Sequence, residues 1–192
     1  MKRSILLSSI FVLLASSISS AADFTADMVI SARGEKDTQG KVYMQGVKMR
    51  MEMGAPNEDD KVITITRPDK KLVWVMMPEE KMYMEQPYQE DPKMKEWTPA
   101  QEAKSKFIGK ETVSGLECKK YQLEGEQTFY WISDKISFPV KTQAPEGTMV
   151  LKNIQPGKIS GGLFEIPGGF EKFSMPGMGG MPQGVPGMPK GR

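Results

Sequence analysis

Methionine is the residue whose number and spacing could do chemistry here. The chain has 16, and Met49, Met51, Met53, Met76, Met77, Met82 and Met84 cluster in its first half. Met49, Met51 and Met53 alternate with Arg50 and Glu52, so on a strand their side chains share one face at about 7 Å spacing. Three chemistries fit such a face. Thioethers can fill an ordinary core, repack around apolar guests of varying shape, or hold a soft ion such as Cu(I) or Ag(I). The metal reading lacks its commonest partner, since the chain contains no histidine.

The same absence excludes much catalysis. No Ser-His-Asp or Cys-His system, HExxH zinc site or imidazole base is available. One cysteine gives neither an internal disulfide nor a CxxC pair. Alternating with Leu116, Cys118 reads as a small buried hydrophobe. The acidic pairs Asp59-Asp60, Glu79-Glu80 and Glu90-Asp91 sit among turn residues, as solvated loops explain, whereas acid-base work by paired carboxylates needs apolar surroundings to part their pKa values. No GxxxxGK[ST] or strand-linked GxGxxG segment cradles a phosphate. No catalytic residue, metal centre or cofactor is therefore assigned, and the chain reads as a non-enzyme.

The elements that must position these residues are strands. From 23 to 173 the pattern is period two, which sends successive side chains to opposite faces. Phe24, Ala26, Met28 and Ile30 open it. Strands are expected around 41–44 and 47–53, over 61–66, 72–77 and 81–86, and again over 116–123, 128–132, 138–144 and 148–154. Turn residues such as Gln45-Gly46, Pro68-Asp69, Pro78-Glu79 and Ser114-Gly115 separate them. This spacing suits an all-β sandwich or barrel. Within 88–109 a helix is expected, with Thr98 as cap, Pro99 at its first position and Gln101 completing a capping box. Trp97, Ala100, Ala103 and Phe107 would then form a lid. On β-parity, with Lys71 as the start of its strand, Trp74 is taken with Leu72 and Met76 to point the same way as Met82 and Met84, leaving Val73 and Val75 outward.

The ends differ in kind. Residues 1–22 read as an export signal, with Lys2 and Arg3, an apolar run over 5–15 and a Ser20-Ala21-Ala22 cleavage site. The expected mature start is Asp23, in the periplasm or outside the cell. No later run approaches the roughly 20 apolar residues of a membrane span, so a chain that does not span a membrane is expected. Removing Lys2 and Arg3 from the 26 basic residues leaves 24 against 24 acidic, a balance with no electrostatic footprint for nucleic acid. Residues 174–192 hold six Gly, four Pro and four Met and no acid, a composition that builds no packed core and reads as a disordered tail.

The order of segments resembles the outer-membrane lipoprotein carrier superfamily, the LolA/LolB-like fold, and within it a family of uncharacterised secreted bacterial domains. The likeness is carried by Gly40-Lys41-Val42-Tyr43 leading to Lys48-Met49-Arg50-Met51, by Arg67-Pro68-Asp69-Lys70-Lys71-Leu72-Val73-Trp74 and by Pro78-Glu79-Glu80-Lys81-Met82-Tyr83. It continues through Gly109 to Cys118, Phe138-Pro139-Val140-Lys141 and Leu163-Phe164-Glu165-Ile166-Pro167-Gly168-Gly169-Phe170. The resemblance implies a mainly β domain over 23–173. Its single curved antiparallel sheet would form a half-open barrel with a short helical lid, taking up lipid acyl chains or lipid-modified proteins. The chain departs from the carriers in having no helix before its first strand.

These readings combine into one expectation, a periplasmic lipid- or lipoprotein-binding protein. Its cavity wall would comprise Met49, Met51, Met53, Ile63, Ile65, Trp74, Met76, Met82 and Met84. The alternatives are a soft-metal protein using the methionines and an envelope interaction module that meets a protein partner through the tail.

Overall fold

The computed structural model describes residues 23–54, 61–89, 97–136 and 138–174. The expected signal and all of the expected tail beyond Ser174 lie outside these residues.

Twelve strands form one sheet: β1 (Phe24–Ala32), β2 (Thr38–Gln45), β3 (Lys48–Gly54), β4 (Lys61–Arg67), β5 (Leu72–Met77), β6 (Met82–Pro87), β7 (Ser105–Val113), β8 (Leu116–Leu123), β9 (Phe129–Ile132), β10 (Lys141–Ala144), β11 (Gly147–Pro156) and β12 (Glu171–Lys172). The order across the sheet is β12-β6-β5-β4-β3-β2-β1-β11-β10-β9-β8-β7. Every pairing is antiparallel except β12 with β6. The sheet is curved and unclosed and holds 58% of the described residues in strand, as the expected mainly β half-barrel requires.

Local chemistry accounts for most of the hairpins. Ser114 and Gly115 both adopt positive φ, 50° and 79°, the two-residue turn whose twist matches antiparallel strands. Gly40 is needed for another reason. A Cβ there would collide with the Met53 sulfur and the Glu52 carbonyl, so glycine lets β2 and β3 approach closely at this point.

Two strands were not expected. β7 occupies part of the segment read as helix, and β12 is a two-residue edge addition. The helix is short, α1 (Pro99–Ala103), with the expected capping box: Thr98 Oγ1 accepts from the Gln101 backbone N–H, and Gln101 Oε1 accepts from that of Thr98. It ends because residues from Ser105 onward pair with β8. Phe107 therefore lies on a strand rather than on the helix face expected for it.

Two of the three buried apolar groups among the described residues bear on the site and lie on opposite faces of the sheet, while the third gathers Trp97, Tyr121, Tyr130 and Ile132. The first joins Phe24, Ala26, Met28, Val42, Met44 and Met49 to Cys118, Trp131, Phe138, Val140 and Leu151, so the sheet curls to bring its two halves together. The face of β1–β3 that contributes to it is called the core face below. The second, on the opposite face, joins Ile63, Ile65, Trp74 and Met76 to Phe164 from the C-terminal segment.

Candidate functional site

Register fixes which side chains share a face. Across β3, β4, β5 and β6 the core face carries three rows: Met49, Thr66, Val73 and Gln86; Met51, Thr64, Val75 and Met84; and Met53, Val62, Met77 and Met82. β2 continues the rows with Met44, Val42 and Gly40. Val42 and Met44 are buried, as is Met49, while the other β3 to β6 residues in the rows are only half-buried. The apolar core face thus extends beyond its own packing. On β3 to β6 its second and third rows hold five methionines, two valines, one threonine and no charge. This surface is the methionine face.

The expected wall divides accordingly. Met49, Met51, Met53, Met82 and Met84 share the core face. Ile63, Ile65, Trp74 and Met76 share the other, and a single cavity cannot be walled by both sets. The physical reason lies at Lys71, whose side chain sets the parity of β5 only if it belongs to the strand. Lys71 has φ of 58° and ends a turn, so it lies outside the strand and sets no parity. Val73 and Val75, expected outward, instead stand beside Met84, together with Val62 and Met77. Their alternation was visible in the sequence, but the choice of face was not.

The opposite face is held by a C-terminal strap. Phe164, fully buried, ends a 3-10 turn, Gly161–Phe164, that sits over Ile63, Ile65, Trp74 and Met76. Two arginines hold it there. Arg50 Nη1 donates to the Leu163 carbonyl at 3.0 Å, and Arg67 Nη1 donates to the Phe164 carbonyl at 2.8 Å. Arg67, 4% exposed, also pairs with Asp69 at 2.7 Å and Glu165 at 2.5 Å. Its hydrogen bond to Asp69 raises the guanidinium pKa above its ordinary value and lowers the Asp69 carboxyl to about 2. Glu165 is held low first by Lys70 and then by Arg67. Trp74 Nε1 donates to Glu85 at 3.0 Å, and Lys172 of β12 closes on the same carboxylate at 2.7 Å. Arg50, which alternates with the methionines of β3, is buried because the strap covers it.

The four lid residues do not form one surface. Trp97 is buried and stacks on Tyr121 at 5.4 Å between ring centroids. Ala100 and Ala103 are exposed on α1, which buries no residue. Phe107, in β7, is 53% exposed. Tyr121 donates to Glu102, and burial is the main cause of its raised hydroxyl pKa. Cys118 is fully buried with its thiol pKa raised by that burial.

A cleft of about 760 Å³ opens beside β1 to β3, lined by Asp27, Lys41, Glu52, Lys61 and Lys152 as well as Met28 and Met53. Its charges suit no acyl chain, because desolvating them costs more than apolar contact returns. Among the described residues no group of three or more His, Cys, Asp or Glu is placed to hold a metal ion, and no helix is long and apolar enough to cross a membrane.

The described residues thus form a curled, unclosed sheet with one face strapped by the C-terminal segment and one apolar face only half covered. The chain belongs to the family described as "Domain of unknown function (DUF4412)", which matches residues 25–137. Among solved structures it is similar to an uncharacterised conserved protein from Thermus thermophilus, at 12% identity over 80% of this chain and 90% of that one, with a TM-score of 0.56. This likeness is one of fold. A LolA superfamily protein from Nitrosomonas europaea, the superfamily the sequence resembles, is similar at 7% identity over 76% of this chain and 90% of that one, with a TM-score of 0.39. No curated protein matches the sequence.

Proposed function

We propose that the protein is a non-enzymatic, exported binder of lipid acyl chains or lipid-modified proteins, and that the methionine face is its guest surface. One observation carries this reading: Met51, Met53, Val62, Val75, Met77, Met82 and Met84 stay half-buried on the same face whose neighbours Val42, Met44 and Met49 are buried in the core. A core face that continues uncharged past its own packing lacks only an apolar cover. An acyl chain supplies one, at about 0.8 kcal/mol per buried methylene. Ten such methylenes contribute about 8 kcal/mol, enough to exceed the lower estimates of the free-energy cost of association. Unbranched thioether side chains adapt to chains of different length and unsaturation.

Native mass spectrometry and lipid extraction of freshly purified protein test the reading. Co-purifying acyl lipid is expected, lost in Met51→Asp and Val75→Asp and kept in Glu79→Asp. Folded wild-type protein that carries no lipid and binds no added acyl probe would contradict it. A second reading rests on Met77 and Met82, which stand directly opposite each other with Met84 next along β6; retention of Cu(I) or Ag(I) against a chelator, without lipid, would favour a soft-metal role.

A further inference from the structure

We propose that the free edge of the sheet at β7 docks on the surface of an anionic lipid bilayer, with Phe107 and Ile108 set into the headgroup layer and Lys104, Lys106 and Lys110 on its phosphates. The proposal stands apart from the methionine face and does not need that face to hold a guest.

Exposure singles the place out. Among the described residues the large hydrophobic side chains left exposed are Ile30, Val47, Phe107, Ile108 and Phe173, and of these Phe107 and Ile108 are adjacent. Neighbours on a regular strand point to opposite faces. Here a bulge intervenes: Phe107 pairs with Tyr121 and Gly109 with Lys120, leaving Ile108 without a partner on β8. Bulges re-aim side chains at sheet edges, and both residues stand out, 53% and 43% exposed. Phe107 makes an edge-on contact with the Tyr121 ring at 5.8 Å between centroids, and Tyr121 in turn stacks on the buried Trp97. The apolar pair is therefore presented on a braced support.

Charge names the partner. Residues 104–110 read Lys-Ser-Lys-Phe-Ile-Gly-Lys, three cations and no acid. Lys104 and Lys106 are exposed and enter no ion pair among the described residues, and Lys110 meets the exposed Glu117 at 3.1 Å. The acids that flank the stretch are taken up elsewhere: Glu102 accepts from the Tyr121 hydroxyl, and Glu111 accepts from the Trp131 indole at 2.7 Å. Apolar tips ringed by cations fit a surface that is oily beneath and phosphate-coated above. A second copy adding its own β7 fits less well. β7 ends the sheet order, so its outer edge is unpaired, but a bulge and edge lysines are devices that hinder strand addition. A bilayer needs no strand register. Docking is shallow, because the unpaired N–H and C=O groups of that edge must stay in the wet headgroup layer.

Co-sedimentation of the full chain with vesicles tests this. Binding is expected to vesicles of equal parts phosphatidylcholine and phosphatidylglycerol, with several-fold weaker binding to phosphatidylcholine alone. On the anionic vesicles it should fall several-fold as salt rises from about 0.1 M to about 1 M. Phe107→Ser with Ile108→Ser should lower the partition coefficient about ten-fold or more while the circular dichroism of the fold is kept. Lys104→Gln with Lys106→Gln should lower it on anionic vesicles alone, and Val47→Ser, as exposed as Phe107 but in the β2–β3 turn, should leave it unchanged. In Phe107→Trp the added emission should shift to the blue on vesicle binding, since Trp74, Trp97 and Trp131 are all buried. No binding to anionic vesicles, or equal binding by the double serine variant, overturns the proposal. A wild type that is dimeric without lipid and becomes monomeric in the double serine variant overturns it in favour of a second copy.

Discussion

The Arg67 guanidinium, 4% exposed, donates a 2.8 Å hydrogen bond to the Phe164 carbonyl. A charged side chain inside the sheet therefore holds down the segment that closes one face. Arg67 ends β4, just before the Pro68-Asp69 turn. Its burial follows from the strap, since a guanidinium so enclosed must be paired and hydrogen-bonded.

Removing either partner should loosen the strap. Phe164→Ala is expected to cost about 3–5 kcal/mol of stability by emptying a fully buried site. Arg67→Ala should cost about 2–4 kcal/mol, because it leaves a buried carbonyl without its donor. Arg50→Asp, which a solvated side chain would tolerate, is instead expected to destabilise by placing a carboxylate against the Leu163 carbonyl. Urea unfolding of each variant checks these values. A midpoint unchanged in Arg50→Asp would contradict the strap.

Acid should release the same region. Asp69, Glu165 and Glu85 all have folded pKa values below their ordinary ones, Asp69 at about 2. A carboxyl whose pKa is depressed by folding contributes stability above its unfolded value. That contribution is lost as pH falls through the folded one. Thermal midpoints should therefore fall between about pH 4 and pH 2, and Asp69→Asn with Glu165→Gln should flatten that dependence. Identical acid profiles for wild type and the double variant would count against it.

Cys118 should resist chemistry in the folded state. Full burial and a raised pKa leave little thiolate at neutral pH. A polar thiol reagent is expected to modify it only in denaturant, and the native protein should form no disulfide-linked dimer. Stoichiometric labelling of native protein within minutes would show that its burial is misassigned.

Much of the sheet was legible from alternation alone. Phe24, Ala26 and Met28 mark β1, and Ser114-Gly115 marks a turn that only positive φ can make. Cys118 reads correctly as buried for the same reason. β7 was not legible, because Lys106, Gly109, Lys110 and Glu111 break its pattern and a bulge between Phe107 and Gly109 shifts its register. That Met49, Met51 and Met53 share a face, and likewise Met82 and Met84, was legible from parity within single strands. That Trp74 and Met76 face away from Met82 and Met84 was not legible, because parity between strands depends on where each turn ends, and a left-handed Lys71 hid that point. The strap was invisible, since Arg50 and Arg67 look like solvated charges until a distant Phe164 is placed over their neighbours.

The central claim concerns one face of β3 to β6. Methyl NMR of methionine-labelled protein reads both faces at once, since Met51, Met53, Met77, Met82 and Met84 lie on the core face and Met76 lies under the strap. On titration with a short-chain acyl ester, the first five methyl resonances are predicted to shift and saturate together, with Met76 and the fully buried Met28 unmoved. Resonances that stay fixed at saturating ester, or a response confined to Met76, would contradict the account.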